Sequence, residues 1–238
     1  MSDHKPLGGK AYGSIPHLPG SRMGPADHHC HEGQRAICCE KVRDKHDRVI
    51  VTEKLDGSNV SVANVGGQIL AIGRSGYLAA TSPFPQHHMF ALWVGRQEDR
   101  FRRVLAPGER IVGEWLAQAH GTRYSVAGEP FVPFDIIAGK DRVPFDDFAR
   151  LCGEISIEHA AVIHDGKAVD VDTIMSALTV SRHGALDPVE GAVWRVEYRG
   201  KFDFIAKYVR PDKVDGALLP EFNGTGATVW NWQMESAI

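Results

Sequence analysis

The sequence predicts an α+β domain of mainly antiparallel sheets flanked by helices. Two observations predict it. Short segments of alternating apolar character, separated by Gly and Asp-Gly turns, dominate the chain, and helical spacing intervenes only irregularly. With 238 residues, 43% of them apolar and 24% charged, the chain is long enough for one substantial core. Residues 1–35, rich in Gly, Pro and His, read as an irregular arm packed on a domain that runs from 36 to 238. In the segment Arg48–Val65, VIVTEKL and SNVSVANV flank Asp56-Gly57, which predicts two antiparallel strands joined by a turn. GQILAIGRSG continues the strand character. Within SPFPQHHMFALWVGRQEDRFRRVL, residues Phe90, Val94, Phe101, Val104 and Leu105 fall near helical spacing. Ser82 or Pro83 can start that helix, and Pro107-Gly108 ends it. ERIVGEWLA and EPFVPFDIIAG are the next strands. A short helix at about 144–152 opens on Pro144, with Asp146 and Asp147 suiting its dipole, and DVDTIMSAL is a second short helix. EGAVWRVEYRG and KFDFIAKYV close the series as a strand pair.

No apolar run approaches the roughly 18–20 residues that a membrane helix needs. The N-terminus lacks a basic segment followed by an apolar one, so the expected location is cytoplasmic, with no membrane partner. A net charge of −3 argues against a uniformly basic surface but is compatible with a local groove that binds phosphates. Cys30, Cys38, Cys39 and Cys152 suit no small disulfide framework and read as free thiols. The run Asp27-His28-His29-Cys30-His31, near Cys38 and Cys39, offers zinc-type ligands, but its spacing matches no standard finger. A polar patch is the simpler reading for it, as for His87-His88. Between Arg195 and Lys213, the cations Arg195, Arg199, Lys201, Lys207, Arg210 and Lys213 alternate with Glu197, Asp203 and Asp212. Either a phosphate track or a solvated mixed face fits that pattern.

Lys54 stands out because the apolar strand that carries it breaks into a turn directly after it. For an amine to attack phosphorus it must be unprotonated. Near pH 7.4 that costs about 3 pH units, or roughly 4 kcal/mol, from a reference pKa near 10.4. Desolvation and neighbouring cations are the expected sources of the shift.

Lys54-Leu55-Asp56-Gly57 matches the KxDG signature of the covalent nucleotidyltransferases, which include DNA ligases, RNA ligases and mRNA capping enzymes. Further elements follow in that superfamily's order: Arg74 in IGRSGY, Glu114 in VGEWLA, Phe134-Asp135, Glu190-Gly191-Ala192-Val193, and Lys207 in FIAKYV. Asn59, two places after the KxDG glycine, is similar to the Asn of nick-sealing phage-type RNA ligases, where DNA ligases and capping enzymes usually carry Arg. The resemblance implies an ATP-grasp-like nucleotidyltransferase (adenylation) domain and an ATP-dependent RNA ligase. Lys54 would carry AMP and pass it to an RNA 5′-phosphate, which a 3′-hydroxyl then seals. It further implies that Lys54, Asn59, Glu190 and Lys207 are catalytic. Thr52 and Glu53 (through main-chain groups), Arg74, Glu114 and Phe134 would join Lys54 and Lys207 in holding ATP. Glu190 and Asp56, directly or through water, would hold Mg²⁺, with Mn²⁺ as a substitute. Phe134 can stack on adenine and Glu114 can accept from ribose hydroxyls. End-healing enzymes are the partners such a ligase implies.

Two departures from the pattern stand out. Ile205 occupies the place of a second late lysine, with Lys201 and Arg210 nearby as replacements. The 31 residues after Lys207 are too few for an OB barrel, so none is expected. A DNA ligase, a GTP-using capping enzyme, or a nucleotide- or RNA-end-binding module without turnover are the competing readings.

Overall fold

The computed structural model describes residues 5–234. Two antiparallel sheets form its frame. The first has the order β7-β1-β8-β9, from β1 (Asp47–Lys54), β7 (Val162–Gly166), β8 (Gly191–Tyr198) and β9 (Lys201–Val209). In the second the order is β3-β2-β4-β5-β6, from β2 (Ser58–Val65), β3 (Gln68–Gly73), β4 (Glu109–Trp115), β5 (Phe131–Ala138) and β6 (Asp141–Arg142). Five helices flank them: α1 (Glu32–Cys39), α2 (Pro85–Arg96), α3 (Glu98–Arg102), α4 (Phe145–Glu154) and α5 (Val171–Ala177). The α+β class and the antiparallel character agree with the sequence.

The expected turn at Asp56-Gly57 is not a hairpin. β1 and β2 lie in different sheets, and residues 55–57 carry the chain from one to the other. β1 pairs instead with β7 and β8, and β2 with β3 and β4. The long helix also differs from expectation. It starts at Pro85, where a ring without N–H costs nothing, and breaks at Gln97 into α2 and α3. That break lets Phe90, Trp93 and Val94 on one piece and Phe101 on the other all reach the core.

Two main apolar clusters support the sheets. Beneath the second sheet, Phe90, Trp93, Trp115, Phe131 and Phe148 join α2 and α4 to its strands, with Phe90 and Trp115 ring centroids 5.2 Å apart. Beneath the first, Val49, Val51, Trp194 and Val196 pack with Ile174 and Leu178 around α5 and with Cys38 of α1. Ile50 of β1 also packs in the first of these clusters, so the sheets share apolar contact there, and a cleft opens between them.

The residues before β1 are stitched to the first sheet. The Lys207 N–H donates to the Pro16 carbonyl at 2.9 Å, and the Leu18 N–H to the Lys207 carbonyl at 2.8 Å. On its other side, His17 N–H reaches the His28 carbonyl, and Cys30 N–H the His17 carbonyl. Residue 17 thus bridges in parallel to Lys207 of β9 and, on its other side, to residue 29, and Leu18 is fully buried.

Candidate active site

A cleft of about 1440 Å³ opens between the sheets, with Lys54, Asn59, Arg74, Glu114, Phe134, Glu190 and Lys207 in its walls. Pairing places them. β1 ends on Lys54, opposite Gly191 of β8, which puts Glu190 beside the lysine. Val193 of β8 faces Lys207 of β9, and Asn59 of β2 faces Glu114 of β4. In β5 the ladder slips between Val112 and Gly113, which pair with Asp135 and Pro133 and leave Phe134 unpaired. Such a bulge re-aims a side chain: Phe134 turns to the cleft, while Asp135 is buried with Arg142 (3.0 Å) and Arg195 (3.2 Å).

Two glycines are required by close approach. A Cβ on Gly57 would lie 2.5 Å from the Trp115 carbonyl oxygen, and one on Gly191 would lie 1.9 Å from that of Tyr208. The Gly57 N–H donates to Glu114 Oε1 at 3.0 Å, so the Lys-Asp-Gly loop is tied directly to the second sheet.

Lys54 Nζ donates to Glu190 Oε2 at 2.6 Å, with only 22% of the lysine side chain exposed. Burial alone would pull the Lys54 pKa down, but Glu190, Glu114 and Asp56 outweigh it and leave the pKa above the ordinary lysine value. The sequence-based expectation of a lowered pKa is therefore corrected: without a ligand, carboxylates rather than cations surround the amine. Burial raises Glu190 above the usual carboxylate range and pushes Glu114 up to about 8. Lys207 moves the other way, lowered by burial and then by the nearby charges of Lys54 and Arg74.

Asp56 adds to the negative charge near the amine but makes its own contacts elsewhere. Its Oδ2 accepts from Gly121 N–H at 2.9 Å and pairs with Lys213 Nζ at 2.6 Å, which leaves Oδ1 for any water shell. Lys213, read from sequence as part of a phosphate track, thus serves the loop. Arg210 pairs with Asp212, and Arg195 with Asp135 and Glu197. Of that basic stretch, Lys207 and Arg195 line the cleft. Neither Lys201 nor Arg210 replaces the missing lysine: Ile205 faces the cleft, with Arg195 opposite it on β8.

Thr52 and Glu53 both line the cleft; the Glu53 carboxylate accepts from Ser181 Oγ (2.5 Å) and Arg182 N–H (2.8 Å), and its main-chain N–H donates to the Ala161 carbonyl. Asn59 Oδ1 is buried without a partner, a cost of about 1–3 kcal/mol that a ligand donor would recover. Among the described residues no three His, Cys, Asp or Glu converge as a metal cluster, so the His/Cys run of the arm forms no zinc site there. Asp27 from that run instead faces Lys207 at 3.9 Å. Asp27 was singled out only as part of the His/Cys run, and Tyr124, whose hydroxyl accepts from Asp56 N–H at 3.0 Å, and His120 beside Ser58 were not signalled by sequence. Each meets its partner across a large separation with no local pattern.

Two antiparallel sheets that bring a strand-end lysine, carboxylates and a late lysine to one cleft match the covalent nucleotidyltransferase class of fold. Residues 47–209 match the RNA ligase family model, and the chain belongs to that family. Among solved structures it is similar to an archaeal ATP-dependent RNA ligase, with 18% identity and a TM-score of 0.54 over 83% of this chain and 48% of that one. It is also similar to a Naegleria gruberi RNA ligase with PPi, with 20% identity and a TM-score of 0.53 over 69% and 50% of the two chains. The chain spans about half the length of these solved ligases. Comparison with curated protein sequences finds no match.

Proposed function

We propose that this protein is an ATP-dependent RNA ligase that forms a lysyl-AMP intermediate on Lys54. The observation that carries the reading is the position of Lys54 Nζ, within the cleft and 2.6 Å from Glu190, facing groups of both sheets. In the first step the Nζ–P bond forms at the α-phosphate and the bond to pyrophosphate breaks. An oxygen of an RNA 5′-phosphate then displaces Lys54 from the AMP phosphorus. Finally a 3′-hydroxyl attacks the activated 5′-phosphate and AMP leaves.

The residues suit these steps. Lys207 and Arg74 offset charge that develops on the phosphate oxygens. Glu114, held through Oε1 by Gly57, has Oε2 left for the ribose hydroxyls. Phe134 offers a ring face to adenine, and the unpartnered Asn59 Oδ1 awaits a donor. Glu190 fits a divalent cation, because it is a buried carboxylate already holding a cation, the Lys54 ammonium. Mg²⁺ or Mn²⁺ there, with Asp56 Oδ1 reached through water, would neutralise triphosphate charge and free Lys54 from the partner that raises its pKa. RNA repair in the cytoplasm, together with end-healing enzymes, is the biological setting we propose.

The test is incubation with α-labelled ATP and Mg²⁺ or Mn²⁺, with GTP as competitor, followed by sealing of nicked RNA and nicked DNA. We expect an acid-labile protein label that Lys54→Ala abolishes, and preference for RNA. A wild-type protein that never labels defeats the reading. Ile205 in place of a lysine favours one second reading, a module that binds ATP or RNA ends without turnover. Tight ATP binding with no adduct would select it.

A further inference from the structure

Resting on the ligase reading, we propose that Asp27 is a positioning residue, held by His17 and Ser21 of the N-terminal arm, that aims Lys207 at the nucleotide phosphates. These three residues lie before the stretch that matches the ligase family, which begins at 47.

A continuous chain of contacts builds the arrangement. Val209 N–H of β9 donates to Ser21 Oγ at 2.9 Å, and Ser21 Oγ lies 2.6 Å from His17 Nδ1. With its oxygen accepting from Val209, the Ser21 hydroxyl can donate to Nδ1, which leaves the proton of a neutral imidazole on Nε2. His17 Nε2 sits 3.2 Å from Asp27 Oδ2, a close polar contact without hydrogen-bond alignment, and Oδ2 also accepts from Gly24 N–H at 2.9 Å. Burial, then the positive charge of Lys207, hold the His17 pKa down at about 4, so the ring is neutral near pH 7. The remaining oxygen, Oδ1, lies 3.9 Å from Lys207 Nζ.

That last distance gives the contact its meaning. At 3.9 Å there is attraction but no hydrogen bond, so the ammonium is oriented while its three N–H groups stay available to a phosphate. The backbone enforces the same geometry, because residues 16–18 bond to Lys207 through both its N–H and its carbonyl. With Ile205 where a second lysine is expected, Lys207 is the only cation of β9 among the cleft-lining residues described, and its direction carries more weight. Asp27 is part of the cleft wall, with 27% of its side chain exposed, so replacing it opens no core.

The test is single-turnover adenylylation with α-labelled ATP over a range of ATP concentrations, in the full chain. Asp27→Ala should slow the rate at saturating ATP about tenfold, since small misplacements near reacting atoms are costly, with half-saturation moved less than about threefold. In Lys207→Ala protein the same change should slow nothing further, because the two residues act as one unit. His17→Ala should behave like Asp27→Ala, and His17→Gln, whose amide keeps a polar group against Asp27, should recover most of the rate. The proposal is overturned if Asp27→Ala labels as fast as wild type. It is equally overturned if Asp27→Ala slows the Lys207→Ala protein as much as wild type, or if the loss follows a lowered Tm and His17→Gln recovers nothing, since either pattern means the arm only holds the fold. Failure of wild type to label would instead sink the ligase reading beneath it.

Discussion

The two sheets contribute unlike things to one cleft. From the first come Lys54, Glu190 and Lys207, whose charges oppose one another and whose pKa values are displaced by that proximity and by burial. From the second come Asn59, Glu114 and Phe134, which offer a buried acceptor, a carboxylate fixed by Gly57 and a ring turned inward by a bulge. The division suggests that reaction at phosphorus is run from one wall and the nucleoside is gripped by the other. Because the Lys-Asp-Gly loop is the covalent link between them, the amine is placed relative to both.

The strongest attempt to break the division is Glu190→Ala. We expect it to cut lysyl-AMP formation at saturating ATP by at least about 100-fold, the scale of losing one preorganised charge at a reacting centre. Gly191→Ala should come close behind but differently, since its Cβ would sit on the Tyr208 carbonyl oxygen. It should lower Tm as well as activity, which a thermal melt separates from a local effect. Phe134→Ala tests the opposite wall. It should raise the ATP half-saturation by roughly 5–150-fold, matching a stacking contact of about 1–3 kcal/mol, and leave the saturated rate nearly intact. A lowered saturated rate with unchanged half-saturation would put Phe134 on the chemical side and end the comparison.

The smallest expected effect is on stability against pH. Glu114 has a folded-state pKa of about 8 against an ordinary value of 4.5. A carboxyl whose folded pKa is raised contributes most when protonated, below about 4.5, and that contribution is lost as pH rises towards 8. The Tm of the nucleotide-free protein should therefore fall across this window. Glu114→Gln should flatten the slope, and an unchanged slope would show that Glu114 is not held neutral.

What the sequence revealed follows the range of the interactions involved. The strands carrying Lys54, Glu114 and Lys207 were legible because alternation is a local property, and the order of motif elements brought distant pieces to one site before any coordinates. The partition into two sheets was not legible: an Asp-Gly between two alternating segments reads as a hairpin, and only the pairing of β1 with β8 shows otherwise. β7 was missed because VIHDG buries little and lacks clean alternation, and α1 because it begins inside a stretch that reads as irregular. The sign of the Lys54 pKa shift was missed for a related reason. It depends on a carboxylate 136 residues away in sequence, and residue type alone gives neither the distance nor the balance against burial. Lys213 likewise reads as one more cation of a phosphate track until its contact with Asp56 is seen.

The arm seated against β9 has a consequence for handling the protein. β9 ends its sheet, and an open strand invites another chain to add to it. Residues 16–22 satisfy the outward backbone groups at Lys207 and Val209. Removing the arm would expose them as an adhesive margin, so a shortened chain should self-associate as its concentration rises, and light scattering would register this before any assay of sealing.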